Sequence, residues 1–444
     1  MVNSKNGLNG SGRMRVLVLG GYGLIGLSIV KRLLDEGFAV TSLVRGEKLG
    51  FQREPRCNWL RQDIAQLQSP ASWRRFLHGV DVVINAAGAL QTGLRDNLVD
   101  LQQIAISALV DACEQNEVSI VQISAPGATA DATTEFMWTK AAADDRLRMS
   151  KASWVILKPG LVLAPAAYGG SALLRMLAAF PMILPIVHSE ARLATVSIDD
   201  VVEAVMMAVE GKVPARTELD VAGSVAPRLD DIVLAFRKWM GFPSPLRIVP
   251  LPRWLVAVIG SGADALGWLG WRSPLRTTAL TVLKDGIVTD ANDYIQLRGC
   301  PALTLEETLS RMPSTVQERW FAQMYLAMPI LIAILSAFWV TSGIVVLVSL
   351  DAAAGHLVNA GYSQKLANLA VVGASIVNIV LGVAVLWQHW AKAACLGMIV
   401  VTGLYLVGGS LISQGLWGDP FGALLKAIPS AALAWVASRL VTTR

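Results

Sequence analysis

Three stretches of this chain carry no charged side chain over a length that matches the thickness of a bilayer. Residues 326–350 run 25 positions without Asp, Glu, Lys or Arg, residues 366–388 run 23, and residues 393–414 are also uncharged. About 20 apolar residues in a helix cross the hydrocarbon of a membrane. Backbone in lipid must satisfy its own hydrogen bonds, so helices are the expected outcome. A fourth segment, 421–438, is shorter and contains Lys426 and Pro429. It is expected to complete a four-helix bundle, with Lys426 snorkelling to the interface.

The rest of the chain is composed differently. Of 38 Lys and Arg and 33 Asp and Glu, five and two lie in 321–444, which leaves 33 and 31 in residues 1–320. That first part is nearly neutral, and the net charge of +5 does not imply nucleic acid. No basic block or aromatic–basic interleaving supports such a partner. The four cysteines, Cys57, Cys113, Cys300 and Cys395, show no C-x-x-C or metal-ligand spacing. They read as buried thiols in a reducing compartment, and no metal site is expected. The opening "MVNSKNGLNGSGR" lacks an apolar core and reads as a disordered tail, 1–13, rather than a signal peptide. The domain that follows is therefore expected in the cytoplasm, on a multi-pass protein of the inner membrane. A cytoplasmic start and four spans leave Arg311, Arg319, Lys392, Arg439 and Arg444 inside, with Lys365 and Lys426 as outer exceptions. Gly373, Ser375, Gly382, Gly403, Gly408 and Gly409 suit close helix packing. No Asp or Glu lies mid-span, which argues against an ion or proton path.

In the first domain, "MRVLVLGGYGLIGLSIVKRLLDEGFAVTSLVR" is the most informative stretch. Residues 16–19 form a short apolar run, as for a strand buried on both faces. Gly20, Gly23 and Gly26 follow, then Leu27, Val30, Leu33 and Leu34 recur at helical spacing, and "FAVTSLV" reads as a second strand. Strand, glycine turn, helix and strand is the context in which this spacing signifies a dinucleotide site. The first glycine permits the turn, the second lets backbone approach a diphosphate, and the third lets the helix pack closely. The helix N-terminus would face the anion. The cofactor-binding residues of this turn are Gly20, Gly21, Tyr22, Gly23, Leu24, Ile25 and Gly26. After the second strand stands Arg45, where an acid would bond the 2′-hydroxyl of NAD. An arginine suits a 2′-phosphate, so NADP(H) is favoured over NAD(H).

The G-x-x-G-x-x-G spacing resembles the extended and atypical short-chain dehydrogenase/reductases, and later motifs follow that family's order over about 15–310. "NWLRQDI" ends a third strand at Asp63 and Ile64, near the family's adenine site. "VDVVINAAGAL" supplies Asn85-Ala86-Ala87-Gly88, similar to the family's turn beside the cofactor. "VSIVQISAPGA" ends at Ser124, the position of the catalytic serine. "WVILKPGLVLAP" is similar to the strand and turn near nicotinamide, with Pro159, and "VSIDDVVEAVMMAV" resembles the helix that follows in extended members. The resemblance implies a Rossmann-type doubly wound parallel sheet over 14–312, with a substrate lid over about 210–312. Trp254, Trp268 and Trp271 in that lid would line an apolar pocket, rest on a membrane surface, or pack among helices. Residues 318–444 resemble the DoxX-like four-helix membrane family, notably "RWFAQMYL" and "LWGDPFGALLKAIP". Members of that family are linked to quinone or thiol redox partners.

Between Ser124 and Pro159 lies "TTEFMWTKAAAD". Four residues separate Phe136 from Lys140, which places both on one helix face. In the family, a tyrosine moves the proton, a lysine at plus four lowers its pKa from about 10, and the serine polarises the substrate oxygen. Ser124 and Lys140 match; Phe136 has no proton to give. Three readings remain: Lys140 holds the ribose hydroxyls, another acid does the proton work, or the helix is inert. Two functions follow. One is a membrane-tethered NADP(H)-dependent oxidoreductase acting on a lipophilic or quinone-like substrate at the cytoplasmic face. The other is a non-catalytic nucleotide-binding sensor or assembly subunit on the membrane.

Overall fold

The computed structural model describes residues 13–89, 92–93, 97–271, 275–412, 417–418 and 422–441. The expected tail, apart from Arg13, lies outside the described residues, as do residues 413–416 and 419–421 around the start of the fourth expected span. The chain divides into two compact units, Met1–Ser261 with Pro274–Glu318, and Gly262–Ser273 with Arg319–Arg444.

The first unit is built on seven strands: β1 (Arg15–Leu19), β2 (Ala39–Val44), β3 (Asn58–Arg61), β4 (Val82–Asn85), β5 (Ser119–Ile123), β6 (Trp154–Pro159) and β7 (Thr217–Val221). Their order is β7-β6-β5-β4-β1-β2-β3, and every pairing is parallel. The chain order reverses between β1 and β4, which makes their carboxyl ends the switch point of a doubly wound sheet. The expected fold class is therefore the observed one.

Alternation along the strands splits the core into two layers. Val16 and Val18 pack with Ile29, Val30 and Leu33 of α1 (Leu24–Asp35) and with Val201 and Val205 of the helix Ile198–Val209. Leu17 and Leu19 pack on the other face against Trp73 of α3 (Pro70–Leu77), Leu109 of α4 (Ala105–Gln115) and Leu147 of α5 (Glu135–Met149). The short α2 (Glu47–Arg53) precedes α3. Each such fully buried aliphatic side chain stabilises by roughly 1.5–3 kcal/mol, so neither face can turn to solvent. Trp73 is fully buried and donates Nε1–H to the Leu67 carbonyl at 2.9 Å, which satisfies the one polar atom that it takes inside.

In the second unit, three helices among the described residues are long and apolar enough to cross a membrane: Val316–Val348, Gln364–Ala384 and Gln388–Ile412. The fourth expected span forms a helix, Ala423–Leu440, which includes Pro429 and Lys426 and is not one of those three. A further helix, Leu350–Asn359, occupies the end of the first expected run and the connection after it. A side-chain carbon on Gly382 would lie 2.9 Å from the Val340 nitrogen, and one on Gly343 2.7 Å from the Ser375 carbonyl. These two glycines allow the first two spans to touch backbone to backbone. Gly409 packs similarly on Leu424, whereas Gly373, Gly403 and Gly408 meet nothing within 4 Å.

Residues Gly262–Ser273 belong to this second unit, although the motif pattern assigned them to the substrate lid. Trp271 donates its indole N–H to the Leu386 carbonyl at 2.6 Å, and Gln388 N donates to Leu269 O at 3.0 Å. Trp254 and Trp268 are about two-thirds exposed. Cys57, Cys113 and Cys395 are buried as expected, but Cys300 is exposed.

Candidate active site at the carboxyl edge of the sheet

Parallel register brings the sequence motifs to one edge. Leu19 is level with both Leu43 and Asn85, Asn85 with Gln122, and Ile123 with Leu157. The residues that follow these strands, Gly20, Arg45, Ala86 and Ser124, therefore emerge side by side, with Pro159 closing β6. Asp63 follows β3 at the same edge.

The β1–α1 turn is tight for stated steric reasons. Gly20 has φ +73, and a Cβ there would come within 2.8 Å of the Ala87 Cα, so the β1 and β4 turns touch. A Cβ on Gly26 would fall 2.3 Å from the Gly20 carbonyl oxygen, which holds α1 close to the turn. Gly23 N donates to Gly20 O at 2.9 Å and caps α1 in an extended conformation. No side chain caps α1 and its first turn has no acid. Its leading N–H groups therefore suit a phosphate, and this is the observation on which a dinucleotide fits. Gly21 lies against Ser42, while Tyr22, Leu24 and Ile25 are partly buried against the core.

The adjoining turns are held by side-chain hydrogen bonds. Asn85 Nδ2 donates to Gln122 Oε1 at 2.8 Å, and its Oδ1 accepts from Ala87 N at 3.1 Å, which fixes the Ala86-Ala87-Gly88 segment. Arg53 from α2 donates to the Tyr22 carbonyl at 2.8 Å and so brings a cation to the glycine turn, while Arg45 after β2 is exposed. Asp63 accepts from Ala65 N at 3.2 Å and caps the short 3₁₀ turn Ile64–Gln66, in which Ile64 is buried.

On α5, Phe136, Lys140 and Asp144 lie one turn apart along a stripe. The half-buried Phe136 presents its ring to the Lys140 ammonium, 5.6 Å from the centroid. Lys140 is itself buried and donates Nζ–H to the Ile123 carbonyl at 2.8 Å. A Cβ on Gly88 would lie 3.9 Å from this ammonium and equally far from Gln102 Nε2. The lysine thus sits beside the β4 turn. Gln102 arrives on a π-helical turn, Val99–Ile104, and donates to the Ala89 carbonyl at 2.6 Å. Such turns are frequent at functional sites. Burial pushes the Lys140 ammonium below its usual range, against the pull of Asp144.

Sequence reasoning missed Asp144. Ser124, which is 4% exposed, donates its hydroxyl proton to the Asp144 carboxylate. Burial raises this carboxyl to about 6, opposed by the Ser124 hydrogen bond and by the charges of Lys140, Lys158 and Arg148. The signal was present: the spacing F-x-x-x-K-x-x-x-D continues the stripe by one turn. A cavity of about 220 Å³ lies beyond β7, lined by residues of the expected lid including Ser224, Thr289 and Asn292, and by none of the residues above.

Residues 20–174 match the NAD(P)H-binding family, and residues 336–435 match the DoxX-like family. Among solved structures, the chain is similar to the UDP-glucose 4-epimerase of Thermotoga maritima with UDP-glucose, at 15% identity over 67% of this chain and 96% of that one, TM-score 0.50. It is similar to the Bordetella bronchiseptica enzyme WbmH in complex with NAD+, at 18% identity over 68% and 97%, TM-score 0.50. The dTDP-glucose 4,6-dehydratase of Bacillus anthracis with NAD is 16% identical over 69% and 96%, TM-score 0.50. These likenesses are of fold. A ceramide reductase of Caulobacter vibrioides is 22% identical over 186 residues, 42% of this chain, and the match spans 57% of that protein's length.

Proposed function

From a chain that joins an NAD(P)H-binding domain to a DoxX-like domain, we propose a membrane-tethered, NAD(P)H-dependent reductase of a lipophilic carbonyl compound. The observation that carries the reading is the meeting, at one sheet edge, of an uncapped α1 N-terminus with a buried serine and lysine. The bound nicotinamide would supply hydride. The chain's own residues would do the rest: the glycine turn holds the diphosphate, Lys140 beside Gly88 holds the ribose, and Ser124 orients the substrate oxygen. Asp63 and Ile64 would border the adenine, and Pro159 the nicotinamide.

Arg45, supported by Arg53, favours a 2′-phosphate and therefore NADPH. The apolar helices of the second unit suit a bilayer, from which a lipophilic substrate would partition, and the name of the Caulobacter relative supports that substrate class. A quinone-like acceptor is the second class that fits. The nucleotide domain would face the cytoplasm from the inner membrane.

The second reading, a nucleotide-holding sensor or assembly subunit, is favoured by Phe136 alone. Full-length protein in detergent, titrated with NADPH and NADH by fluorescence and then supplied with membrane-soluble ketones and quinone analogues, separates the two. NADPH binding with turnover supports the reductase. Binding without turnover of any of them transfers the case to the sensor, and absence of binding overturns both.

A further inference from the structure

The carboxyl group of Asp144 stands outside the motifs named above and has a costly setting. Its side chain is fully buried, and Oδ1 has no hydrogen-bond partner among the described residues. Oδ2 has one partner, the Ser124 hydroxyl. A buried ionised carboxylate with one of its two oxygens unpartnered is expensive, and taking up a proton relieves that cost. Lys140, one turn away on the same helix, gives its hydrogen bond to the Ile123 carbonyl instead.

Protonation has a geometric consequence. When Asp144 is ionised, Ser124 donates to it and its hydroxyl proton points inward. When Asp144 is protonated on Oδ2, the carboxyl becomes the donor and Ser124 the acceptor. The serine proton must then turn away from Asp144, towards the edge where the motifs converge.

We propose that Asp144 is the proton store of this site, exchanging its proton with the substrate oxygen through the Ser124 hydroxyl and so replacing the phenol that Phe136 lacks. This rests on the reductase reading above. In reduction, hydride from NAD(P)H forms a C–H bond at the carbonyl carbon, and the C=O π pair moves to oxygen. The Ser124 O–H bond breaks as that oxygen takes the proton, and Ser124 takes the proton of the Asp144 carboxyl. The carbonyl is reduced to an alcohol, NAD(P)H is oxidised to NAD(P)+, and Asp144 is left as carboxylate. Solvent recharges it through Ser124 between turnovers. Ser124 is then the catalytic residue, and Asp144 acts through it.

The pH dependence follows from groups on every element around the carboxyl. Ser124 follows β5, Lys140 and Arg148 are on α5, and Lys158 on β6; Glu218 on β7 pairs with both Arg148 and Lys158. All three cations favour the carboxylate, yet burial keeps the group near 6. Reduction uses the acid form, so its rate is full below that value and falls about tenfold per pH unit above it.

The test uses full-length protein in detergent, wild type against Asp144→Asn, Asp144→Glu and Ser124→Ala. Infrared difference titration of the protein alone should show a carboxylic-acid band that is lost near pH 6 and is missing in Asp144→Asn. In the ketone assay, Asp144→Asn should lose ~10²-fold at pH 6 and no longer show the decline. Asp144→Glu should keep a decline. The double variant Ser124→Ala with Asp144→Asn should be no slower than Ser124→Ala alone, as for residues acting in series. NADPH titration of each variant reports folding and the reductase reading separately. If NADPH binds and Asp144→Asn retains the wild-type decline, or no band titrates near 6, the store is not Asp144 and the proposal falls. If the wild-type protein binds no NADPH, the reductase reading fails first.

Discussion

The β1–α1 turn and the β5–α5 segment meet at the same edge of one sheet, and they differ in what their geometry demands. In the first, Gly20 has a positive φ, Gly26 brings the helix against the turn, and no N-cap side chain bonds the α1 N-terminus. In the second, Ser124 and Lys140 are buried, the Phe136 ring faces the Lys140 ammonium, and a buried carboxyl lies one turn beyond the lysine. Holding a nucleotide depends on backbone shape, which tolerates no added carbon. Delivering a proton depends on one exchangeable hydrogen, which another residue within reach can supply. The two tasks are separable, and mutations on one side should leave the other intact.

The largest effect is expected on the nucleotide side. Gly26→Val drives carbon into the Gly20 carbonyl, where even a Cβ would lie at 2.3 Å. NADPH affinity by fluorescence titration should drop by ~100-fold or more, with thermal unfolding of the protein lowered by an overpacking cost of about 1–3 kcal/mol. Retained affinity would mean that the turn is not where the diphosphate binds.

An intermediate effect belongs to the proton side. Phe136→Tyr places a phenol one turn before Lys140 and should raise ketone reduction ~10-fold or more, while leaving NADPH affinity within about twofold. The decline above pH 6 should also weaken, since a phenol with its ordinary pKa of about 10 remains an acid there. An unchanged rate would show that the segment's geometry, as well as its hydroxyl, has departed from proton delivery.

The smallest effect tests the edge between the two regions. Arg45→Ala should weaken NADPH by about tenfold and NADH hardly at all, as measured by parallel titrations. Equal losses for both nucleotides would argue that this arginine does not read a 2′-phosphate.

How much of this was legible before the fold was known differs by residue. Gly20, Gly26 and the apolar run 16–19 are local signals, because a backbone conformation or a strand face is set by neighbours in sequence. Asn85 and Lys140 were placed by motif order, and the structure joins their turns through Gly88. Arg53 was not legible, since its reach to Tyr22 depends on how α2 folds back over the glycine turn. Gly343 was missed among the small residues of the spans, and Gly373, Gly403 and Gly408, which share their composition, pack against nothing. Residues Gly262–Ser273 read as lid, yet the Trp271 and Leu269 hydrogen bonds join them to the helical unit. Residue type sets what can pack closely, and the neighbouring helix decides what does.

By itself the sequence determined the parallel sheet, the position of the glycine turn and the apolar helices, because periodicity, glycine spacing and missing charge act over a few turns of chain. It also set Phe136, which has no proton to give, four residues before Lys140. Only the tertiary structure decided that Ser124 and Asp144, twenty positions apart on a strand end and a helix, meet through a hydrogen bond in a buried space. Burial raises that carboxyl, and burial comes from the packing of α5 against the sheet, which no local pattern encodes.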